Sequence, residues 1–274
     1  MLLTGLGNDT FNAMQMETLK EYKCVVIHLT RLQKMLEMYA HIGHSEEIVY
    51  IDGIIKGKTM AYLFLPCDYG DLFDHCITKK IHLTEPEARD LFISAARAVS
   101  HCHDHGVLIR EIKTSSFVFT NIDRNTLAIR LLRRAIILQD PNNDICGSAR
   151  GSPYYVAPEI VNPVTRNSFS GKPADVFSLG VVLYVMLCGK FPFHGNNPRT
   201  WEQIVENITK GDYVIPPWVS PSARNLVHSM LCQDPKRRLT VSEALQHPWV
   251  LMEELSYMEK RKTRALSQIV PDIN

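Results

Sequence analysis

Two polar side chains in this chain are of the types that phosphate chemistry requires. Glu111 lies in the run Val-Leu-Ile-Arg-Glu-Ile-Lys at residues 107–113, and its carboxylate could accept the proton of a hydroxyl group. Lys23 lies in a run of strand-forming residues and could contact a phosphate. Gly5 and Gly7 form a Gly-x-Gly pattern, which fits a phosphate-binding loop or a simple turn about equally well. The chemistry that these residues would perform is phosphoryl transfer, which depends on positioning and on neutralising phosphate charge.

Three histidines at alternate positions, His101, His103 and His105, suggest a metal site as a second kind of chemistry. On a helix, successive members of this set lie about 200° apart around the axis, so they do not converge on one ion. We interpret them as the polar end of a helix, beside Asp104 and Gly106. We therefore expect no metal and no cofactor in this protein.

The elements that must position these residues divide into a β-rich part and a helical part. Period-two alternation predicts strands over 22–29, 48–55 and 60–65, and the apolar spacing of 31–42 predicts one helix between them. The later chain shows helical spacing, including an apolar run that predicts a fully buried helix. We predict an α+β fold with a small β-rich N-terminal lobe, a larger helical C-terminal lobe and a tail. The expected boundaries are 1–66 for the small lobe, 67–70 for a hinge, 71–252 for the large lobe and 253–274 for the tail.

The composition excludes several classes of function. The chain has 274 residues and a net charge of +1, so it shows no electrostatic signature of nucleic-acid or membrane-surface binding. The apolar run at 179–188 is shorter than the roughly 20 residues that span a bilayer. Seven scattered cysteines without a Cys-x-x-Cys pair predict a reduced, intracellular protein. We expect neither nucleic acid nor a membrane among its partners, and we expect a monomer.

Four sequence runs occur in the order and at the spacing of protein kinases, and the lobe pattern agrees with them. They are Ala157-Pro158-Glu159, Asp175-x-Phe-Ser-Leu-Gly, Asp-Pro-Lys-Arg-Arg-Leu-Thr at 234–240, and His247-Pro248-Trp249. Together they resemble the bilobal protein kinase fold. The resemblance implies that Glu159 pairs with Arg238 and that Asp175 accepts hydrogen bonds from the catalytic-loop backbone. Both are structural roles, so these residues predict the fold and not activity.

The positions that carry chemistry in kinases are altered in this chain. The altered positions are Val25 for the strand lysine, Ile109 and Glu111 for the catalytic-loop histidine and aspartate, and Ser116 and Leu131 for the two metal ligands. Glu111 has a side chain one methylene longer than aspartate, and a displacement near 1 Å can cost roughly 100-fold in rate. Residues 127–138 contain no acid, whereas magnesium prefers carboxylate and phosphate ligands. We therefore expect an inactive pseudokinase in which Gly5 and Gly7 are vestigial.

Lys23 is the residue that could compensate for the missing strand lysine. It lies two residues before Val25 on the same side of the strand, about 6.6 Å away at 3.3 Å per residue. We expect it to be an exposed charge near the end of the strand. Glu37, at the position of the helix glutamate that pairs with the lysine in kinases, is expected to have lost its partner.

Several further runs resemble the Tribbles family of pseudokinases. They are Thr-Glu-Pro-Glu-Ala-Arg-Asp-Leu-Phe at 84–92, Ala-Val-Ser-His-Cys-His-Asp-His-Gly at 98–106, Phe-Val-Phe at 117–119, Ser-Gly-Lys-Pro-Ala-Asp-Val at 170–176, and the tail motif Gln268, Ile269, Val270, Pro271 and Asp272. The resemblance implies that the tail motif recruits an E3 ubiquitin ligase of the constitutive-photomorphogenesis type. Ser267 stands where the family usually has an acid, which implies a differently tuned affinity for the ligase.

The same resemblance implies two protein partners for the large lobe. A degron of a C/EBP-like basic-leucine-zipper transcription factor is expected to bind beside the activation segment, residues 145–156, at Tyr154 and Tyr155. His247, Pro248 and Trp249 overlap a family motif that binds MAP kinase kinases, although many kinases use these residues for packing. We expect a scaffold of the nucleus and cytoplasm that modulates MAP kinase and stress signalling. The alternatives are a low-activity Ser/Thr kinase that uses Glu111, and an inhibitor of MAP kinase kinases that needs no ligase.

Overall fold

The structure is a computed structural model that describes residues 2–7, 10–130, 132–147, 151–194 and 200–252, the first of these ranges as backbone only. The small lobe contains one five-stranded antiparallel sheet with the strand order β1-β2-β3-β5-β4. Its elements are β1 Leu2–Gly7, β2 Thr10–Met14, β3 Glu21–His28, helix α1 Leu29–Ile42, β4 Gly53–Lys56 and β5 Met60–Pro66.

Alternation along the strands of the small lobe gives the sheet two apolar faces. Val25 and Ile27 of β3 belong to the main core, together with the buried face of α1. Cys24 lies on the other face with Ala13 and Phe64, in a separate small cluster. Successive side chains of a strand point to opposite faces, so one strand supplies both clusters.

The strand predicted over 48–55 forms only in its second half. Val49 donates a backbone hydrogen bond to Ile129 (3.0 Å), and Ile129 donates one to Glu47 (2.8 Å). Ile48 therefore forms an isolated parallel bridge with Ile129 of the large lobe. Because these backbone groups are used between the lobes, the first half of the segment does not join the sheet of the small lobe.

In the described residues, the large lobe is built around helices and three short antiparallel strand pairs. The helices are α2 Glu85–Asp104, α3 Pro158–Val161, α4 Gly171–Cys188, α5 Trp201–Lys210, α6 Pro221–Met230 and α7 Val241–Leu245. The strand pairs are β6 Val107–Leu108 with β9 Ile136–Ile137, β7 Phe117–Phe119 with β8 Leu127–Ile129, and β10 Ile145–Cys146 with β11 Phe169–Ser170. A β-rich part followed by a helical part confirms the predicted α+β fold.

Helix α4 forms the centre of the large lobe. It is 18 residues long with a mean hydropathy of 1.4, long and apolar enough to cross a membrane, but 83% of it is buried inside the protein. Its apolar character is therefore explained by packing within the lobe. The helix begins at Gly171, eight residues before the apolar run at 179–188, because the Asp144 carboxylate accepts hydrogen bonds from Lys172 N (2.9 Å) and Ser170 Oγ (2.6 Å) at its start.

Candidate functional site

Asp175 of α4 holds the segment that corresponds to a kinase catalytic loop, residues 107–113. The Asp175 carboxylate accepts hydrogen bonds from the backbone nitrogens of Ile109 and Arg110, both at 2.8 Å. It also accepts a hydrogen bond from His103 Nε2 (3.1 Å), and Asp175 is only 3% exposed. Arg110 has a φ of 64°, an uncommon value for a residue other than glycine. The two backbone hydrogen bonds stabilise this conformation of the loop.

His103 is a residue whose role the sequence did not reveal. It lies in the last turn of α2, as the helix-end interpretation predicts, but it is only 6% exposed. Its partner Asp175 is 72 residues away in the sequence, so no local pattern pointed to the contact. Within the described ranges, no group of three or more His, Cys, Asp or Glu side chains could hold a metal ion.

Both carboxylate oxygens of Glu111 are paired with cations. Lys113 Nζ lies 2.9 Å from Oε1, and Arg134 Nε lies 2.9 Å from Oε2. The side chain is 25% exposed, so the pairs are only partly screened by water. A substrate hydroxyl would have to compete with these two cations for the carboxylate oxygens. The catalytic-loop acid is thus held as part of an ion-pair cluster.

The positions of the two kinase metal ligands have no acidic side chain here. The Ser116 hydroxyl donates to the Glu111 backbone oxygen (3.1 Å), which ties the ends of the loop together. Leu131, at the second ligand position, lies outside the described residues. Its neighbour Arg130 forms an ion pair with Asp68 of the hinge, with Nη1 2.9 Å from Oδ2. A guanidinium therefore lies beside the segment in which a kinase would hold magnesium.

Strand β3 presents an apolar residue at the kinase lysine position. Val25 is 2% exposed, between Thr10 of β2 and Leu63 of β5. Lys23 lies two residues away, and its Nζ donates to Asn12 Oδ1 at 3.1 Å. Lys23 is half-buried beside the neighbouring strand, which differs from the fully exposed charge that we expected.

Glu37 lies in α1, and Gly5 and Gly7 lie in β1. Glu37 accepts a hydrogen bond from Gln33 Nε2 (2.9 Å) on its own helix, and no ion pair between Glu37 and Lys23 occurs in the described part of the chain. Gly5 and Gly7 lie in β1, opposite β2, with an irregular register between them. Helix α1 is thus not connected to β3 by the pair that kinases use.

Glu159 and Arg238, which the kinase resemblance pairs, lie in direct contact. Nη1 and Nη2 of Arg238 lie 2.7 and 3.0 Å from the two carboxylate oxygens of Glu159. The Arg238 side chain is 0% exposed, and it also donates to the carbonyl oxygens of Pro173 and Cys232. This bidentate pair joins α3, at the end of the activation segment, to the loop before α7.

Comparison with known proteins agrees with these contacts. The model of the protein kinase domain matches residues 9–250. Tribbles homolog 2 of Mus musculus is 37% identical over 269 residues, which cover 98% of this chain and 76% of the relative. Tribbles homolog 3 of Rattus norvegicus is 34% identical over 268 residues (97% and 74%), and Tribbles homolog 1 of Homo sapiens is 35% identical over 261 residues (95% and 68%). This chain belongs to the Tribbles family of pseudokinases.

The two tyrosines of the Tribbles activation segment have opposite environments. Tyr154 is 37% exposed, and its ring stacks on Phe191 with 4.9 Å between the ring centroids. Tyr155 is 5% exposed, and its hydroxyl bonds to Thr114 Oγ1 at 2.7 Å. Burial raises the pKa of Tyr155 to about 12. Tyr154 therefore remains a candidate partner contact. Tyr155 does not, contrary to our expectation, because its ring is buried inside the lobe.

The His-Pro-Trp run is largely built into the Tribbles core. Trp249 is 0% exposed, and its indole nitrogen donates to Glu85 Oε2 at 2.8 Å. Burial acts to raise the pKa of Glu85, but hydrogen bonds from Ser220 and Trp249 outweigh it and lower the pKa. His247 Nδ1 accepts from the Trp249 backbone nitrogen (3.2 Å), whereas Pro248 is exposed. Trp249 is thus not available to a partner. This corrects the expectation that Trp249 contacts MAP kinase kinases.

The ligase motif of the tail, Gln268, Ile269, Val270, Pro271 and Asp272, lies outside the described residues, as does the whole expected tail from 253 to 274. The described chain ends at Met252, two residues after the buried Val250. The described part of the chain therefore ends close to the core of the large lobe.

Proposed function

We propose that this Tribbles chain does not transfer phosphate. The observation that carries the proposal is the double pairing of Glu111 with Lys113 and Arg134. General-base catalysis needs a carboxylate that is free to accept a proton from the substrate. Val25 and Ser116 support the same conclusion, since Val25 cannot neutralise phosphate charge and the Ser116 hydroxyl does not replace the asparagine amide that ligates magnesium in kinases.

We further propose that the chain acts as a scaffold between a transcription factor and a ligase. The large lobe binds a C/EBP-like basic-leucine-zipper protein beside the activation segment, where Tyr154 is exposed. The Gln268–Asp272 motif recruits the ubiquitin ligase. Residues 253–266 can span about 46 Å when extended, which is enough to reach past the domain surface.

Carrying both sites on one chain raises the effective concentration of substrate near the ligase to about millimolar. In this role the protein modulates MAP kinase and stress signalling in the nucleus and cytoplasm.

The enzymatic part of the proposal is tested by nucleotide binding and phosphate transfer together. The melting temperature is measured with ATP, with and without magnesium, and transfer of radiolabelled phosphate to a generic protein substrate is measured in parallel. We expect no magnesium-dependent rise in melting temperature and no transfer. A magnesium-dependent rise accompanied by transfer, with the transfer lost in Glu111→Ala, would establish the low-activity kinase instead.

The two scaffold contacts are tested separately. A peptide of residues 264–274 is titrated with the ligase, and its double variant Val270→Ala, Pro271→Ala serves as the control. Equal affinity of the two peptides would refute the ligase contact. For the transcription factor, Tyr154→Ala in the whole chain is compared with Tyr69→Ala, a tyrosine of similar exposure (37% and 44%) at the hinge. We expect only Tyr154→Ala to weaken binding.

Binding of MAP kinase kinases is a second proposed role, and it needs different residues. Since Trp249 is buried, only Pro248 and part of His247 are accessible in that run. Deletion of residues 267–274 separates this role from ligase recruitment. Co-precipitation of a MAP kinase kinase that survives the deletion and is lost in Pro248→Asp would support direct inhibition. Retention in both variants would place the contact elsewhere.

A further inference from the structure

The histidine run of α2 has no role in the scaffold described above. His101 and His105 are four residues apart, so they lie on one face of the helix end, and their ring centroids are 4.3 Å apart. His103 lies on the opposite face, where it contacts Asp175. One turn of α2 therefore presents histidines in two directions.

The paired histidines face the end of helix α1 in the small lobe. His101 Nε2 lies 2.7 Å from the backbone oxygen of Ile42, the last residue of α1. In the reverse direction, His41 Nε2 lies 2.8 Å from the backbone oxygen of His105. His105 Nδ1 lies 2.7 Å from the backbone oxygen of His101. A carbonyl oxygen only accepts, so each of these ring nitrogens must carry a hydrogen and donate it.

These contacts join the carboxyl ends of two helices. Helix α1 ends at Ile42 and helix α2 ends at Asp104. The last turn of every helix leaves carbonyl groups without helical partners and carries a partial negative charge. Two such ends repel each other when they approach directly. Ring N–H donors between them satisfy the carbonyl groups and convert the approach into an attraction.

Helix α1 lacks the attachment that fixes its counterpart in an active kinase. Lys23 bonds to Asn12 and Glu37 bonds to Gln33, and in the part of the chain that the structure describes no ion pair joins α1 to β3. The apolar face of α1 still packs on the core, but apolar packing is not directional. His41 and His101 provide directional contacts between the carboxyl end of α1 and the large lobe.

We propose that His41, His101 and His105 form a histidine clasp that fixes α1 on the large lobe in place of the lysine–glutamate pair. His103 connects the same turn of α2 to Asp175 beneath the catalytic-loop segment. The clasp and His103 together hold the small lobe, α2 and α4 in one relative arrangement without a nucleotide. A scaffold benefits from this arrangement because its partner surfaces are ordered before any partner binds.

The test is amide hydrogen exchange of the whole chain with variants at His101. His101→Leu removes the donor, whereas the side-chain amide of His101→Gln keeps an N–H close to the position of Nε2. We expect exchange at residues 38–42 to be about tenfold faster in His101→Leu, the factor for roughly 1.4 kcal/mol, and near the parent rate in His101→Gln. His82→Leu is the control, since His82 is exposed and its ring stacks on Trp218.

Two results would overturn the proposal. One is an unchanged exchange rate at 38–42 in His101→Leu. The other is an increase shared equally by helix α6, which would indicate global destabilisation. If His101→Leu does not fold, His41→Ala provides the same measurement at an exposed position. It should accelerate exchange at residues 38–42 by about threefold, and an unchanged rate there would also refute the clasp.

Discussion

Glu159→Gln should destabilise this protein strongly, because it leaves the guanidinium of Arg238 buried without its counter-charge. The Arg238 side chain is 0% exposed and cannot lose its proton. Removing one partner of a buried ion pair costs about 3–5 kcal/mol. Arg238 keeps hydrogen bonds to two carbonyl oxygens, at 2.7 and 3.0 Å, so we expect a loss at the lower end, about 3 kcal/mol.

The assay is thermal unfolding, for which this loss can be converted into a temperature. At about 2.1 cal/mol/K per residue, the 274 residues give an unfolding entropy of about 0.6 kcal/mol/K. A loss of about 3 kcal/mol then lowers the melting temperature by about 5 °C. Glu206→Gln is the matched control: it removes the same charge from an ion pair with Lys210 whose side chains are 59% and 63% exposed. An exposed pair contributes about 0–1 kcal/mol, so this variant should lower the melting temperature by about 2 °C at most.

Equal shifts in the two variants would refute the reasoning, because the Glu159–Arg238 pair is buried and bidentate whereas the Glu206–Lys210 pair is an exposed single contact. A second check uses the double variant Glu159→Leu, Arg238→Met. Replacing a buried pair with apolar residues of similar volume is often close to neutral. The double variant should therefore be more stable than Glu159→Gln alone. A double variant less stable than the single one would mean that the remaining contacts of Arg238 matter more than its charge.

Gly171→Ala should cost about 1–3 kcal/mol, because the added methyl would lie 2.3 Å from a side-chain carbon of Leu108; an unchanged urea midpoint would contradict this. Glu111→Asp should give no magnesium-dependent transfer from radiolabelled ATP, because Val25 and Ser116 remain; transfer above the parent level would count against the proposal. The free energy of unfolding should fall as the pH rises from about 9 towards 12, which urea midpoints of reduced protein at pH 8 and 11 will check. In the folded state, burial raises the pKa of Cys76, Cys102, Cys188 and Tyr155 to about 12. The unfolded chain releases these four protons at lower pH than the folded chain does, so the stability linked to them is lost as the pH rises through this range. A higher urea midpoint at pH 11 than at pH 8 would contradict this prediction.

Much of the fold was predictable because local patterns carry it. The alternation of β3 and β5 and the helical spacing of α1 identified these elements correctly. The segment 48–55 was predicted less well, since half of it pairs with Ile129 in the other lobe. Its local pattern is compatible with a strand, and a contact 81 residues away decided where the strand begins. Helix α4 was predicted too short at its start for the same kind of reason, since the capping Asp144 precedes it by 27 residues.

The candidate site, like the fold, was predictable only in part from the sequence. Which residue types stand at the predicted catalytic positions, such as Glu111 and Val25, can be read without coordinates. The sequence by itself therefore determined the family, the fold class and the residue types at the predicted site. Only the tertiary structure decided what the remaining groups do: it pairs Glu111 with Arg134, turns His103 towards Asp175, and buries Tyr155 while exposing Tyr154. These outcomes depend on distances between segments far apart in the chain and on exclusion of water, which a linear pattern does not record.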